Sequence, residues 1–309
     1  MSNSVSVIIP VYNSQDTLVE LTARVSLALS DKGPFEIILV NDGSKDRSEV
    51  VCREIAWRNP SVKFISFFKN FGQPSAIMAG LREASGKVCV ILDDDLQNPP
   101  EEIPKLLEAI NDGGYDFTFG VTPRPRQSRF RLFASWFTYK MADLMLDKPS
   151  GLYHSSFLAL RGEIVKQVIH YDGPYPYLAG LIFRVTHRGT NVAVRNDPRK
   201  SGTSQYSLVK LFKLWINSFT SFSVVPLRIA ALIGSLISLA GFLVLSILVV
   251  EKILYGKFLT GWVSLLGASL VFSGTQLLAL GLVGEYLGRS FMLLNRSPQY
   301  SIREKLNCE

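Results

Sequence analysis

Two long uncharged runs divide this chain into two kinds of material. Ile229 to Val250 is 22 residues without a charge, and Phe258 to Gly284 is 27. A helix rises about 1.5 Å per residue, so roughly 20 apolar residues cross the 30 Å hydrocarbon layer of a bilayer. Each run is long enough to span. The alternative, a pair of helices buried in a protein core, fits this length less well. The connector between the runs holds Glu251, Lys252 and Lys257. Lys210, Lys213 and Arg228 precede the first run, and Arg289, Arg296, Arg303 and Lys305 follow the second. Basic residues collect on the cytoplasmic side of membranes, so both flanks are expected there and the connector outside. The start, Met1-Ser2-Asn3-Ser4, enters an apolar stretch with no basic leader, and no signal peptide is expected.

Charged residues make up 19% of the chain, below the roughly 25% of soluble domains, as expected if part of it lies in lipid. The net charge of +7 favours an anionic partner: nucleic acid, an anionic membrane face or a phosphorylated substrate. Paired spans and the acidic cluster described next argue against nucleic acid. Cys52, Cys89 and Cys308 are scattered and odd in number, which indicates a reducing compartment rather than a disulfide framework or a metal knot.

From residue 5 to 120 the pattern alternates between strand and helix. Strands are expected at 5–9 (stopped by Pro10), 35–40, 62–67 and 87–92, and helices at 15–30, 46–58 and 73–85, with Asp46 near the start of the second helix. Such alternation predicts an α/β fold: a mostly parallel sheet with helices on both faces. Ligands of these sheets bind beyond the carboxyl ends of the strands, where Asn13, Asp42, Asn70 and Asp93 to Asp95 fall. Residues 123–131 are rich in arginine and proline, a helix is expected over 132–146, and 151–200 is less regular and a candidate to complete the sheet. Residues 206–222 are amphipathic, with lysines beside aliphatic and aromatic residues. That fits a helix lying in the membrane interface better than an ordinary surface helix. The expected division is a domain at 1–205, an interfacial region at 206–228, spans at 229–250 and 258–284, and a cytosolic tail at 285–309.

The sharpest chemical signal is Leu92-Asp93-Asp94-Asp95-Leu96-Gln97-Asn98-Pro99-Pro100. Clustered carboxylates repel unless a cation offsets them, and a hard divalent ion that also grips a diphosphate would do so. In an extended backbone, Asp93 and Asp95 point the same way and Asp94 elsewhere, with Gln97 able to add a neutral oxygen. Asp42, in Asn41-Asp42-Gly43-Ser44, is either a nucleotide contact or part of an Asp-Gly turn. Lys69-Asn70-Phe71-Gly72 is either a loop or a ligand-facing strand end. The arginines of 124–131, with Arg199 and Lys200, are either phosphate ligands, which suits arginine's planar fork, or a solvated basic surface. Ligand contact is favoured for Arg131 and Arg199. Tyr171-Asp172-Gly173-Pro174-Tyr175-Pro176-Tyr177 either shapes a sugar pocket or is a rigid loop.

Read together, Val7-Ile8-Ile9-Pro10-Val11-Tyr12-Asn13, Val40-Asn41-Asp42-Gly43-Ser44, Asn70-Phe71-Gly72-Gln73 and the Asp93–Pro100 stretch resemble the family 2 glycosyltransferases that act on polyprenyl phosphates. Bactoprenol glucosyltransferases, dolichol-phosphate mannose synthases and undecaprenyl-phosphate aminoarabinose transferases belong there. The similarity continues through Arg199–Ser207, Pro226-Leu227-Arg228 and Gly284–Arg289, so it covers nearly the whole chain. It implies a GT-A (Rossmann-like) fold carrying a two-helix membrane hairpin. Pro10, Tyr12, Asn13, Asp42, Asn70, Gln73 and Asp94 are implied around the nucleotide-sugar. Asp93, Asp95 and Gln97 are implied around Mg²⁺ or Mn²⁺. Arg124, Arg131, Ser156, Arg199, Lys200 and Gln205 are implied around the acceptor and its phosphate, with Asp93, Asp95, Arg131 and Arg199 central to catalysis. The implied reaction is an inverting transfer from a nucleotide-sugar, UDP-glucose or another UDP-hexose first, to undecaprenyl phosphate. The product would serve cell-surface glycans such as lipopolysaccharide O-antigen. The resemblance also implies a multi-pass protein of the bacterial inner membrane with its catalytic domain and both termini cytoplasmic, a homo-oligomer (a tetramer among the options) and hand-off to a flippase.

Four positions depart from the family pattern: Ser14, Asp94, Ser156 and Gln205 stand where the family usually has an acidic residue, alanine, aspartate and lysine. Loss of an acid at 156 is tolerable, because a phosphate monoester loses its second proton near pH 6 and the nucleophile is already largely ionised. Two other readings compete. A processive polysaccharide synthase would need more spans and a Gln-x-x-Arg-Trp motif, and neither is present. A non-catalytic, nucleotide-sugar-binding scaffold would be favoured by loss of Asp93 or Asp95, and both are retained.

Overall fold

The structure is a computed structural model that describes residues 4–122, 149, 151–197, 261–295 and 298–308, with scattered positions between 230 and 254. Contacts divide the chain into two units, Met1–Leu211 with Arg296–Glu309, and Phe212–Asn295.

The first unit is built on an eight-stranded sheet. Its elements in chain order are β1 (Val5–Val11), α1 (Leu18–Leu29), β2 (Phe35–Asn41), α2 (Ser48–Arg58), β3 (Val62–Phe67), α3 (Gln73–Glu83), β4 (Val88–Ile91), α4 (Ile103–Asn111), β5 (Phe117–Val121), β6 (Leu158–Arg161), α5 (Gly162–Val168), α6 (Leu178–Val185) and β7 (Gly189–Ala193). The second unit contributes α7 (Trp262–Leu294), after which β8 (Ile302–Leu306) rejoins the sheet. The strand order is β7-β5-β6-β4-β1-β2-β3-β8. β4, β1, β2 and β3 are parallel, as the alternating pattern predicts. Central parallel strands are covered on both faces and so read as unbroken apolar runs; all seven residues of β1 are buried. Val7 and Ile9 of β1 join the core with Leu21 and Val25 of α1 and with Leu106 and Ile110 of α4. On the other face, Gly80 of α3 lies against Ile8 and Val40.

Pro10 does not stop β1, which continues to Val11. In a parallel strand, alternate residues bond to opposite neighbours. Ile8 accepts from Leu92 on the β4 side and Val11 from Asp42 on the β2 side. The N–H that Pro10 lacks would therefore face β4, whose pairing with β1 has ended at Ile91.

Residues 151–197 do complete the sheet. β6 inserts antiparallel between β4 and β5, and β7 adds a parallel edge to β5. Segment 285–309 is shared between two elements: α7 runs past Gly284 to Leu294, with no proline before Pro298 to end it, and Ile302–Leu306 pairs antiparallel with β3. Its half-buried and exposed residues alternate, the period of an edge strand. The helix expected at 132–146 and the interfacial region at 206–228 lie outside the described residues.

In the second unit α7 is 33 residues long and turns large apolar side chains outward: Leu265, Val271, Leu277, Leu280, Leu287, Phe291 and Leu294 are exposed. Leu232, Leu236, Leu239, Phe242, Leu243, Ile247, Ile253 and Leu254 are exposed in the same way. The Phe272 ring sits against Gly241, which joins α7 to this earlier helical segment. Counted over the described residues alone, no helix is long and apolar enough to cross a membrane, and the two-span expectation rests on the sequence.

Candidate functional site

Because β1 to β4 run parallel, the loops that follow them gather at one end of the sheet. They hold Tyr12-Asn13-Ser14, Asp42-Gly43-Ser44, Phe68 to Gly72 and Asp93 to Gln97.

The first two loops are knitted together. Asn13 adopts a φ of 57°, a conformation asparagine tolerates better than most residues. Its backbone N–H donates to Ser44 Oγ (3.1 Å), and its Oδ1 accepts from the Lys45 N–H (2.8 Å). Ser14 N–H donates to Ser48 Oγ at 2.8 Å. Asp46 Oδ1 accepts from the Ser48 N–H at the first turn of α2, near the place its sequence position suggested. Gly43 has a φ of 61°, and a Cβ there would lie 2.5 Å from the Lys69 carbonyl carbon, so the third loop crosses directly over the second.

Asp42 explains that crossing. Its Oδ1 accepts from the Phe71 N–H (2.7 Å) and its Oδ2 from the Gly72 N–H (2.9 Å). Asp42, left open between a nucleotide contact and part of a turn, tethers the entry to α3. Burial pushes its acid up to about 6, against the two N–H bonds, which lower it. Asn70 lies exposed in the tethered loop.

The acidic stretch differs from the expected extended strand end. β4 stops at Ile91 and a turn begins at Asp94, with Leu96 at a φ of 60°. Asp94 turns into the protein: its Oδ2 accepts from the Tyr12 N–H at 3.0 Å and from the Ser14 hydroxyl. The Thr17 hydroxyl donates to the Asp94 carbonyl at 2.6 Å. Burial pushes the Asp94 acid up to about 6; the Ser14 and Tyr12 bonds oppose this, and the charges of Asp93 and Asp95 add to it. Asp94 thus ties the acidic turn to the loop after β1. Ser14, one of the four departures from the family pattern, is its partner. Asp95 Oδ1 accepts from the Gln97 N–H (3.1 Å), and the Gln97 carbonyl accepts from the Asp197 N–H (2.8 Å).

Asp93 is held from two sides. Gln73, the first residue of α3, donates through Nε2 to Oδ1 at 2.7 Å, and Ser156 donates through Oγ to Oδ2 at 2.5 Å. Gln73, expected on the nucleotide, and Ser156, expected on the acceptor, both bond the carboxylate. Pro10, also expected on the nucleotide, is buried within β1. Arg124, Arg131, Arg199, Lys200 and Gln205 lie outside the described residues.

The 171–177 stretch is a loop bonded to its surroundings. Its Tyr171 and Gly173 carbonyls accept from Arg82 and Gln299. At its end burial pushes the Tyr177 phenol up to about 12, and the Tyr177 ring stacks on His154. Thr17, Ser44 and Ser48 were missed as parts of this end of the sheet. Small hydroxyl residues at helix starts read equally well as ordinary capping residues, and only the fold reveals their partners.

Among the described residues, no three His, Cys, Asp or Glu side chains gather as a metal-holding group. With Asp94 turned inward, the acidic turn offers Asp93 and Asp95. Two hard carboxylates suit an ion such as Mg²⁺, which is commonly held by one or two carboxylates and completed by water and substrate phosphate. The donor set therefore fits a divalent ion that arrives with a diphosphate, not a closed structural site.

The model of the family described as "Glycosyl transferase family 2" matches residues 6–169. An undecaprenyl-phosphate 4-deoxy-4-formamido-L-arabinose transferase from Yersinia enterocolitica is 37% identical over 99% of this chain and 94% of its own. An uncharacterized glycosyltransferase from Bacillus subtilis is 34% identical over 98% of this chain and 94% of its own. Among solved structures, glucosyl-3-phosphoglycerate synthase from Mycobacterium tuberculosis, in complex with Mn²⁺ and UDP-glucose, aligns with a TM-score of 0.52 over 71% of this chain and 77% of that one. At 15% identity, that likeness is one of fold.

Proposed function

This chain belongs to glycosyltransferase family 2, and on that premise we propose that it moves a sugar from a UDP-sugar to a polyprenyl phosphate, undecaprenyl phosphate in particular, at the cytoplasmic face of a bacterial inner membrane. The observation that carries the reading is the acidic turn after β4, set among the loops of β1, β2 and β3 at the ligand-binding end of a parallel sheet. The acceptor follows from the Yersinia relative, whose name specifies undecaprenyl phosphate and whose likeness runs the length of both chains.

In this reading the loops of β1 and β2 receive the nucleotide, and Asp93, Asp95 and Gln97 hold Mg²⁺ or Mn²⁺. The ion, when bound, neutralises charge that grows on the leaving diphosphate. Arg131 and Arg199 serve the donor diphosphate or the lipid phosphate. The nucleophile is a phosphate oxygen that is already ionised near neutral pH, so the reaction inverts the anomeric carbon in one displacement without a strong general base. Anchoring is by two spans, at 229–250 and 258–284, each long enough to cross at about 1.5 Å per residue. Exposed leucine and phenylalanine on α7, which overlaps the second run, suit lipid as solvent.

The sugar divides two versions of this proposal. The sequence reading puts UDP-glucose first, and the relative's name favours the nucleotide of 4-deoxy-4-formamido-L-arabinose. Purified full-length protein in detergent, given labelled UDP-sugars of both kinds with undecaprenyl phosphate and Mn²⁺, should label the lipid with one of them. Nucleotide binding with no labelled lipid from any donor would overturn the transferase reading in favour of a non-catalytic scaffold.

A further inference from the structure

We propose that Gln73 and Ser156 are positioning residues which together fix the Asp93 carboxylate for a divalent cation; the inference rests on the metal-dependent reading above.

Two features of the fold bring them there. β6 pairs antiparallel with β4, with Leu158 opposite Ile91. Carrying that register two residues further sets Ser156 opposite Asp93, and the 2.5 Å bond between them is the result. The pairing of two strands distant in sequence, rather than a local turn, thus delivers the hydroxyl. Gln73 comes from the other side, as the first residue of α3. Asp42 grips the N–H groups of the two residues just before it, Phe71 and Gly72. A continuous set of bonds therefore runs from Asp42 in the β2 loop through the start of α3 to Asp93.

Each donor takes a different oxygen of Asp93, so the plane of the carboxylate and its rotamer are both set. Serine has one O–H proton, and here it is given to Asp93. Position 156 therefore has no acid or base of its own to contribute, and its part in the reaction is exerted through Asp93. Groups that orient metal-ligating carboxylates commonly contribute 10–100-fold to metal affinity.

The test is Mn²⁺ binding to the full-length protein in detergent, followed by electron paramagnetic resonance with and without UDP, for wild type, Ser156→Ala, Gln73→Ala and Ser156→Thr. Each alanine variant should raise the Mn²⁺ dissociation constant by about 10-fold or more. Ser156→Thr, which keeps the hydroxyl, should restore most of the affinity. In turnover assays at saturating Mn²⁺, the KM for undecaprenyl phosphate should be unchanged in Ser156→Ala. Unchanged Mn²⁺ affinity in both alanine variants overturns the proposal, as does a raised lipid KM with normal Mn²⁺ binding, which would make Ser156 an acceptor contact. Failure of the wild type itself to bind Mn²⁺, with or without UDP, overturns the metal reading and this inference with it.

Discussion

The two ends of the parallel strands treat buried carboxylates in opposite ways. At the amino end Glu36 meets a cation and a ring of donors. Lys63 lies 2.8 Å from Oε2, while the Ser6 hydroxyl, the Ser85 N–H and the Ser85 hydroxyl all donate to Oε1. Burial pushes the Glu36 acid up, but Lys63 and the serine donors outweigh it and leave it below the usual carboxylate range. At the carboxyl end Asp42 and Asp94 are held by N–H and hydroxyl groups alone, with no cationic partner among the described residues, and both are pushed up to about 6. One end neutralises its charge internally. At the other, the charges of Asp93 and Asp95 add to the upward push on Asp94.

That contrast can be broken in several ways. The largest effect is expected from Asp95→Ala, which should lower turnover by at least about 10³-fold while the melting temperature of the metal-free protein stays near that of wild type. Parallel loss of both would mean the carboxyl end is structural too. At the amino end the pattern should reverse. Lys63→Ala leaves the half-buried Glu36 without its cation and should cost about 1–2 kcal/mol of stability in chemical denaturation, with kcat of the surviving folded protein unchanged.

The pH dependence sharpens the comparison, because the two ends should slope in opposite directions. A raised folded-state value, as for Asp42, contributes stability that is present below about pH 4 and lost as pH rises through about 6. The stability of wild type relative to Asp42→Asn should therefore fall across that window, by about 1–3 kcal/mol. A lowered value, as for Glu36, contributes stability present above the unfolded value and lost as pH falls through the folded one. Wild type relative to Glu36→Gln should thus lose its advantage on acidification. Thermal melts of the metal-free proteins across pH 3.5–7.5 read both slopes; the same sign for the two would sink the distinction. The smallest effect is expected from Thr17→Ala, which removes the bond to the Asp94 carbonyl and should cost about 1 kcal/mol, with a modest loss of Mn²⁺ affinity as the acidic turn loosens.

Much of this was legible beforehand. Strands β1 to β4 and helices α1 to α3 fall within a few residues of their expected limits, because fully buried parallel strands are written as apolar runs with turn signals at their ends. β8 was missed although Ile302 to Leu306 alternates in strand fashion; five residues after a long apolar helix read as a tail until the β3 edge is there to pair with. At the candidate site, the motifs fell on loops that the fold brings together, but they did not give the partner of each side chain. Asp94, expected to point away from Asp93 and Asp95 and to lie among the nucleotide-sugar contacts, is turned to Tyr12 and Ser14, and Gln73 and Ser156, expected on ligands, bond Asp93.

The sequence by itself determined the α/β class, the end of the sheet where the motif loops gather and the membership in a transferase family, because these depend on local periodicity and on short ordered motifs. Only the tertiary structure decided which carboxylate turns inward, which hydroxyl meets Asp93 and how Pro10 sits inside a strand. Those outcomes depend on pairings between residues about 30 to 80 positions apart, such as Tyr12 with Asp94, Asp42 with Gly72 and Ser156 with Asp93. A hydrogen bond of that kind has no signature in either local segment, since each partner looks satisfied by water until the sheet register brings the two together.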